Sequence, residues 1–232
     1  MVFTLLNLNK NLNFLNKNIK KIIKLFIPEI IFIIKRKILN QLNASEELFG
    51  GYSQLFKNNL NSQTIYGEYG CGQSTLYVLS NFIIPVYSVD SSRKWVNKIK
   101  IKHENNHNLS INYVNIGNVS DDSWGRPNDY SLRDNFLNYA NDIWSRELKP
   151  NFVLIDGRLR VLCFLISLKK CNPGTKIIFD DYVGRKYYHI VEELIKPSSD
   201  NGRQCLFQVG DKKNIDMKKL DFLINKFNYI LD

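Results

Sequence analysis

The chain has 232 residues, 44% of them hydrophobic and 12% aromatic, which suits one packed domain with an extension and excludes wholesale disorder. Its formal charge of +10 is uneven: residues 1–43 carry eight Lys/Arg against Glu29, a net +7, which leaves +3 for the body and gives no expectation of a nucleic-acid partner there. The four cysteines, Cys71, Cys163, Cys171 and Cys205, form no C-x-x-C pair, so a zinc site or disulfide framework is not expected and a reducing cytoplasm is.

Residues 1–43 read as a basic helical arm, with 44–232 as the main domain. Leu5, Leu8, Leu12, Leu15, Ile19, Ile22 and Phe26 alternate spacings of three and four, which places one apolar stripe on a helix. Pro28 suits the first turn of a second helix running to about Leu42. The apolar run Ile30–Ile34 is far shorter than the roughly 20 residues that span a bilayer. No small-residue cleavage site follows, so a signal peptide is not expected. Three readings stay open for the arm: it caps the domain's own core, touches an anionic membrane peripherally, or packs against a partner or second subunit.

Ser45 followed by Glu46 and Glu47 predicts a helix cap, with the helix reaching about Asn59. The body then alternates as a doubly wound, mostly parallel α/β sheet of seven strands. Strands are predicted near 64–68, 85–89, 111–116, 151–156, 175–180, 204–209 and 227–231. Helices are predicted near 74–81, 92–104, 160–170, 185–196 and 216–226. The connection 118–150 is long, holds Trp124-Gly125-Arg126-Pro127, and is predicted to form a wall over the site.

The first strand runs into a glycine loop, Glu68-Tyr69-Gly70-Cys71-Gly72-Gln73-Ser74-Thr75, and the second ends at Asp90, 22 residues after Glu68. Strand, glycine loop, helix, strand and acid together hold an adenosine-bearing cofactor in doubly wound sheets. Gly70 and Gly72 allow a tight bend and a close approach to ligand. Asp90 is placed to accept hydrogen bonds from ribose hydroxyls. A pyrophosphate fingerprint wants a third glycine where Thr75 stands, and Glu68 would repel a pyrophosphate, so an NAD or nucleotide enzyme is disfavoured. A carboxylate at Glu68 instead suits a cofactor with a cationic end.

The fourth and fifth strands end in Asp156-Gly157-Arg158 and in Asp180-Asp181-Tyr182, which gathers three carboxylates on one rim. Buried acids need pairing or a metal. A Mg²⁺ or Ca²⁺ site on Asp156, Asp180 and Asp181 competes with an Asp–Arg network that orders the rim. Arg158, Arg160, Arg185, Tyr187, Tyr188 and His189 follow the same strand ends. Arg158, Arg185 and Tyr188 are candidate holders of an anionic or sugar substrate, and His189 a candidate general base. The competing expectations are that Arg158 and Arg160 neutralise the aspartates and that His189 packs on its helix. His103 and His107 have no third ligand in sight.

The run E-Y-G-C-G-Q-S-T resembles motif I of class I S-adenosylmethionine (SAM)-dependent methyltransferases. L-I-D-G with G-T-K-I-I-F-D-D resembles the strand-four and strand-five acids of catechol-type, metal-dependent O-methyltransferases. Asp181 replaces that family's Asn, and Gly157 follows Asp156 without the family's basic lysine. The runs Y-S-V-D, D-G-R-L-R and F-D-D-Y are similar to those of a bacterial methyltransferase-like group, over residues 45–210. The resemblance implies SAM held through Glu68, Gly70, Gly72, Ser74, Thr75 and Asp90. It also implies methyl transfer to an oxygen, less readily a nitrogen, of a small molecule or glycan, with Asp156 or Asp180 orienting or deprotonating the acceptor. A non-catalytic protein that keeps the fold and binds a membrane or partner through its arm is the alternative.

Overall fold

The computed structural model describes residues 48–119 and 124–231. The arm, its boundary at residue 43 and the expected cap at Ser45 lie outside them. Seven strands form one sheet: β1 (Tyr66–Tyr69), β2 (Val86–Asp90), β3 (Leu109–Tyr113), β4 (Phe152–Ile155), β5 (Lys176–Phe179), β6 (Ser199–Asp200) and β7 (Cys205–Gln208). Their order is β3-β2-β1-β4-β5-β7-β6. The first five strands pair in parallel, β7 runs antiparallel to β5, and β6 closes the edge antiparallel to β7. The expected doubly wound, mostly parallel α/β fold is therefore present.

Short strands buried on both faces explain the continuous apolar runs. Alternate side chains feed two cores. Tyr66, Val86, Phe152, Leu154, Ile178 and Leu206 join Phe56 and Val78 on one face. Tyr69, Val89, Val153, Ile155, Phe179 and Phe207 line the other.

The helices are α1 (Gln54–Lys57), α2 (Gln73–Asn81), α3 (Arg93–Lys102), α4 (Phe136–Asn141), α5 (Arg160–Lys170) and α6 (Met217–Phe227). Helix α5 is buried from Arg160 through Leu168. Its Phe164 ring lies 4.7 Å from Phe207 and 5.8 Å from Phe179. Among the described residues no helix is long and apolar enough to cross a membrane.

Three expectations are corrected. The expected helix up to Asn59 is interrupted, because Phe49 (φ 58°), Gly50 (φ 61°) and Gly51 (φ 93°) are left-handed and only the short α1 follows. The predicted helix 185–196 is a 3₁₀ segment, Lys186–Glu193. The predicted strand 227–231 is absent: Phe227 still belongs to α6, and the seventh strand is the two-residue β6, whose exposed Ser199 and Asp200 offer no apolar alternation to read.

Candidate active site

A cavity of about 500 Å³ opens at the carboxyl ends of β1, β2, β4 and β5, where an open α/β sheet holds its ligands. One half is built from the glycine loop. Gly70 sits at φ +92°, and a side chain there would stand 2.6 Å from Cα of Gly157. A side chain on Gly157 would meet the Tyr139 hydroxyl and Gly70 N at 2.8 Å. The two glycines therefore let the ends of β1 and β4 pack backbone to backbone. Gly72 differs: its backbone is extended (φ 179°), and no protein atom lies within 4 Å of where its Cβ would be. Among the described residues, packing does not require a glycine there, and its missing side chain leaves room for a ligand to approach.

Glu68, expected to face a cationic cofactor, does not line this cavity. It is fully buried, and four hydroxyls enclose its carboxylate. Tyr66 (2.6 Å) and Ser74 (3.0 Å) donate to Oε2, and Thr75 and Ser88 (3.1 Å) to Oε1. Burial pushes its pKa up to about 7 against the lowering effect of those hydroxyls. Parity explains the correction: Glu68 lies two residues from Tyr66 and faces the same core. Thr75 also sits behind the wall, accepting the Gly72 N–H at 2.8 Å while donating to Glu68. Glu68 and Thr75 thus shape the loop, whereas Gly70, Gly72, Ser74 and Asp90 line the cavity.

Asp90 ends β2 with one backbone N–H on each oxygen, Cys71 at 2.7 Å and Ser92 at 2.5 Å. Burial raises its pKa to about 6, opposed by those N–H groups and by Arg158. Ser92 caps α3, which carries Trp95. The long connection supplies the opposite wall: the Trp124 ring stacks on Trp95, centroids 6.4 Å apart at 18°. Arg158 Nε and Nη2 donate to the Trp124 carbonyl at 3.1 and 3.0 Å, and Ser91 donates to the Gly125 carbonyl at 2.7 Å.

The other half is ionic. Asp180 is fully buried; Arg203 donates Nε to Oδ1 (3.0 Å) and Nη2 to Oδ2 (2.6 Å), and Gln204 donates to Oδ1 (2.8 Å). Asp181, at φ +56°, takes Arg160 (3.3 Å) and Arg185 (2.8 Å) on Oδ2 and Arg203 (3.1 Å) on Oδ1. Asp156 Oδ1 takes Arg160 Nη2 at 3.1 Å. The expected metal site on these three aspartates does not fit: guanidinium groups occupy both oxygens of Asp180 and of Asp181 and one of Asp156, and among the described residues no cluster of His, Cys, Asp or Glu could hold a metal. The Asp–Arg network is the arrangement present.

The two strand-end acids are driven apart. Burial and the neighbouring Asp180 raise the Asp156 pKa well above the usual carboxylate range, with Arg160 opposing. For Asp180 burial acts upward, but the Arg203 fork prevails and the net direction is down. Asp156 lines the cavity and Asp180 does not.

Three solved structures align with this chain. A methyltransferase-like protein from Silicibacter pomeroyi aligns at 29% identity with a TM-score of 0.62, over 73% of this chain and 90% of its own. The fold is a methyltransferase fold. The N-methyltransferase NodS from Bradyrhizobium japonicum WM9 aligns at 12% identity and a TM-score of 0.37, over 76% of this chain and 97% of its own. A SAM-dependent methyltransferase from Methanosarcina mazei gives 10% and 0.31, over 75% and 83%. Neither overlays well enough to bear on the site. No protein-family model and no curated protein sequence matches the chain.

Other expected site residues fall in different places. Arg158 and Arg185 line the cavity. Tyr188 does not: it is buried with its ring 4.6 Å from Phe179, and its hydroxyl accepts from Arg185 Nη1 at 3.1 Å. His189 lies outside the cavity as well, stacked on Tyr182 at 4.7 Å with Nε2 3.2 Å from the Tyr182 carbonyl. It has no reach to a substrate in the cavity, and it packs on Tyr182 instead of serving as a general base there. Arg203 and Gln204 were missed. They precede β7 and lie 23 and 24 residues beyond Asp180, a separation with no sequence signature.

Proposed function

We propose that the cavity binds SAM and that the protein transfers its methyl group to an oxygen, less readily a nitrogen, of a small molecule or glycan. The observation that carries the reading is the junction of β1 and β2. Asp90 stands at the cavity wall with each oxygen already ordered by one backbone N–H, beside a glycine whose missing side chain faces open space. That pair of oriented acceptor oxygens fits a ribose diol. Trp95 and Trp124 supply a flat apolar face next to it. The likeness to a methyltransferase-like protein at 29% identity supports the same reading.

When bound, SAM supplies a methyl group on a sulfonium. Gly70, Gly72, Ser74 and Asp90 would hold it. The chain's part in the reaction is then to position an acceptor and take its proton. Of the two acids proposed to act on the acceptor, Asp156 and not Asp180 reaches the cavity, and its raised pKa makes it a stronger base than an ordinary carboxylate. Asp180, buried and forked by Arg203, holds its charge and keeps the end of β5 in place. Arg160 fixes Asp156 through their 3.1 Å ion pair. No step runs through a metal.

The test is release of S-adenosylhomocysteine (SAH) from SAM over a panel of hydroxylated and aminated acceptors. Turnover with an acceptor that Asp156→Asn lowers by about 10²-fold or more supports the assignment. Turnover unchanged in that variant refutes the base.

A further inference from the structure

Four guanidinium groups line one cavity: Arg158, Arg160, Arg185 and Arg203. Among the described residues of the same half, Asp156 and Asp181 reach the wall, whereas Asp180 is sealed beneath it. An entering ligand therefore meets more positive than negative charge. The crowding is sharpest at Asp181, where three guanidinium groups converge within 3.3 Å on one carboxylate. Arg160 and Arg203 also pair with Asp156 and Asp180, so these three guanidinium groups share three carboxylates, and Arg158 brings a fourth positive charge to the same cavity, which favours an entering anion. Asp181 also holds a left-handed backbone at φ +56°, a strained conformation of the kind that clusters at ligand clamps.

Two of the four have room for a ligand. Arg160 is nearly sealed, whereas Arg185 and Arg203 keep 39% and 32% of their side chains exposed. Gly50 lies over Arg203, where a Cβ would touch Nη1 at 3.7 Å, and glycine leaves that space open. Arg160 bridges Asp156 at 3.1 Å and Asp181 at 3.3 Å, so the proposed base and the arginine pair sit on either side of a single guanidinium. Guanidinium forks match the planar edges of phosphate and carboxylate, and among the described residues no lysine lines the cavity.

We propose that the acceptor carries an oxyanion, a phosphate or a carboxylate, which Arg185 and Arg203 hold beside Asp156. As an acceptor subsite this rests on the methyl-transfer reading; as an anion site it stands on the arginine geometry alone.

The full chain, free and loaded with SAH, is titrated with inorganic phosphate and separately with acetate, followed by ligand-observed NMR. Saturable binding of at least one anion is expected, with the tighter of the two naming the source. Arg185→Gln and Arg203→Gln should each weaken it about tenfold or more, as loss of a charge-assisted hydrogen bond does. Arg133→Gln, outside the cavity, should leave it unchanged. Arg203 also anchors Asp180, so circular dichroism checks that variant, and Arg185→Gln carries the test if it unfolds. No saturable binding of either anion, or equal affinity in Arg185→Gln, overturns the proposal. A parallel SAH titration reads the cofactor assignment separately, so the two can fail independently.

Discussion

Replacing Glu68 with Gln should remove one component of the protein's pH-dependent stability. The carboxyl is fully buried, and its folded-state pKa is about 7 against an ordinary 4.5. An acid whose pKa is raised on folding contributes stability that is complete below about 4.5 and lost as the pH rises through about 7. At 1.36 kcal/mol per pH unit that interval amounts to about 3 kcal/mol. Gln is uncharged throughout. Its amide oxygen can accept from Tyr66 and Ser74 and its NH₂ can donate to the oxygens of Thr75 and Ser88. Any residual mismatch in that cage adds an offset independent of pH. Urea unfolding at pH 5 and pH 8.5 on both proteins gives the answer by difference, because Asp90, Asp156 and every other titrating group cancel. The Gln variant should gain about 2–3 kcal/mol relative to the parent between the two pH values. A difference that does not change with pH would show that Glu68 is not the isolated buried acid described above.

Further outcomes follow from the same geometry. Gly157→Ala should destabilise by about 1–3 kcal/mol or more, because its methyl meets Gly70 and Tyr139. Gly72→Ala should change stability by only about 1 kcal/mol while weakening SAH binding, a split that calorimetry and urea unfolding resolve. Asp180→Ala should cost roughly 3–5 kcal/mol, since it leaves Arg203 without its buried partner, and added Mg²⁺ should not restore it in thermal melts. Initial rates of SAH release should fall on the acid side at a pH above the ordinary carboxylate range, as Asp156 takes up its proton, and the Asp156→Asn variant should lack that limb.

The glycine-loop half of the cavity is legible because its signals are local. Gly70, Gly72 and Asp90 lie in a strand-loop-helix-strand unit whose spacing is set by the sheet, and the structure brings them to one wall. Glu68 departs from the expectation because strand parity outweighs the loop motif: Tyr66 and Glu68 share a face, and Tyr66 is core. The ionic half was half legible. Strand-end acids mark Asp156, Asp180 and Asp181, but what binds them depends on a hairpin, β6–β7, that brings Arg203 and Gln204 back to Asp180. That hairpin left no pattern, since β6 has two exposed residues. Tyr188 and His189 were placed by proximity to Asp181 in sequence, and the 3₁₀ turn Lys186–Glu193 aims them at the Phe179 and Tyr182 rings instead.

The most direct measurement is a calorimetric titration of the full chain with SAH and, in parallel, NADH, repeated on Asp90→Ala. Saturable SAH binding in the micromolar range, about −7 to −8 kcal/mol, is expected, with no heat from NADH. The Asp90→Ala variant should bind SAH more weakly by about 1–3 kcal/mol, through loss of charge-assisted hydrogen bonds. Binding of NADH without SAH, or SAH affinity untouched by the loss of Asp90, would contradict the account.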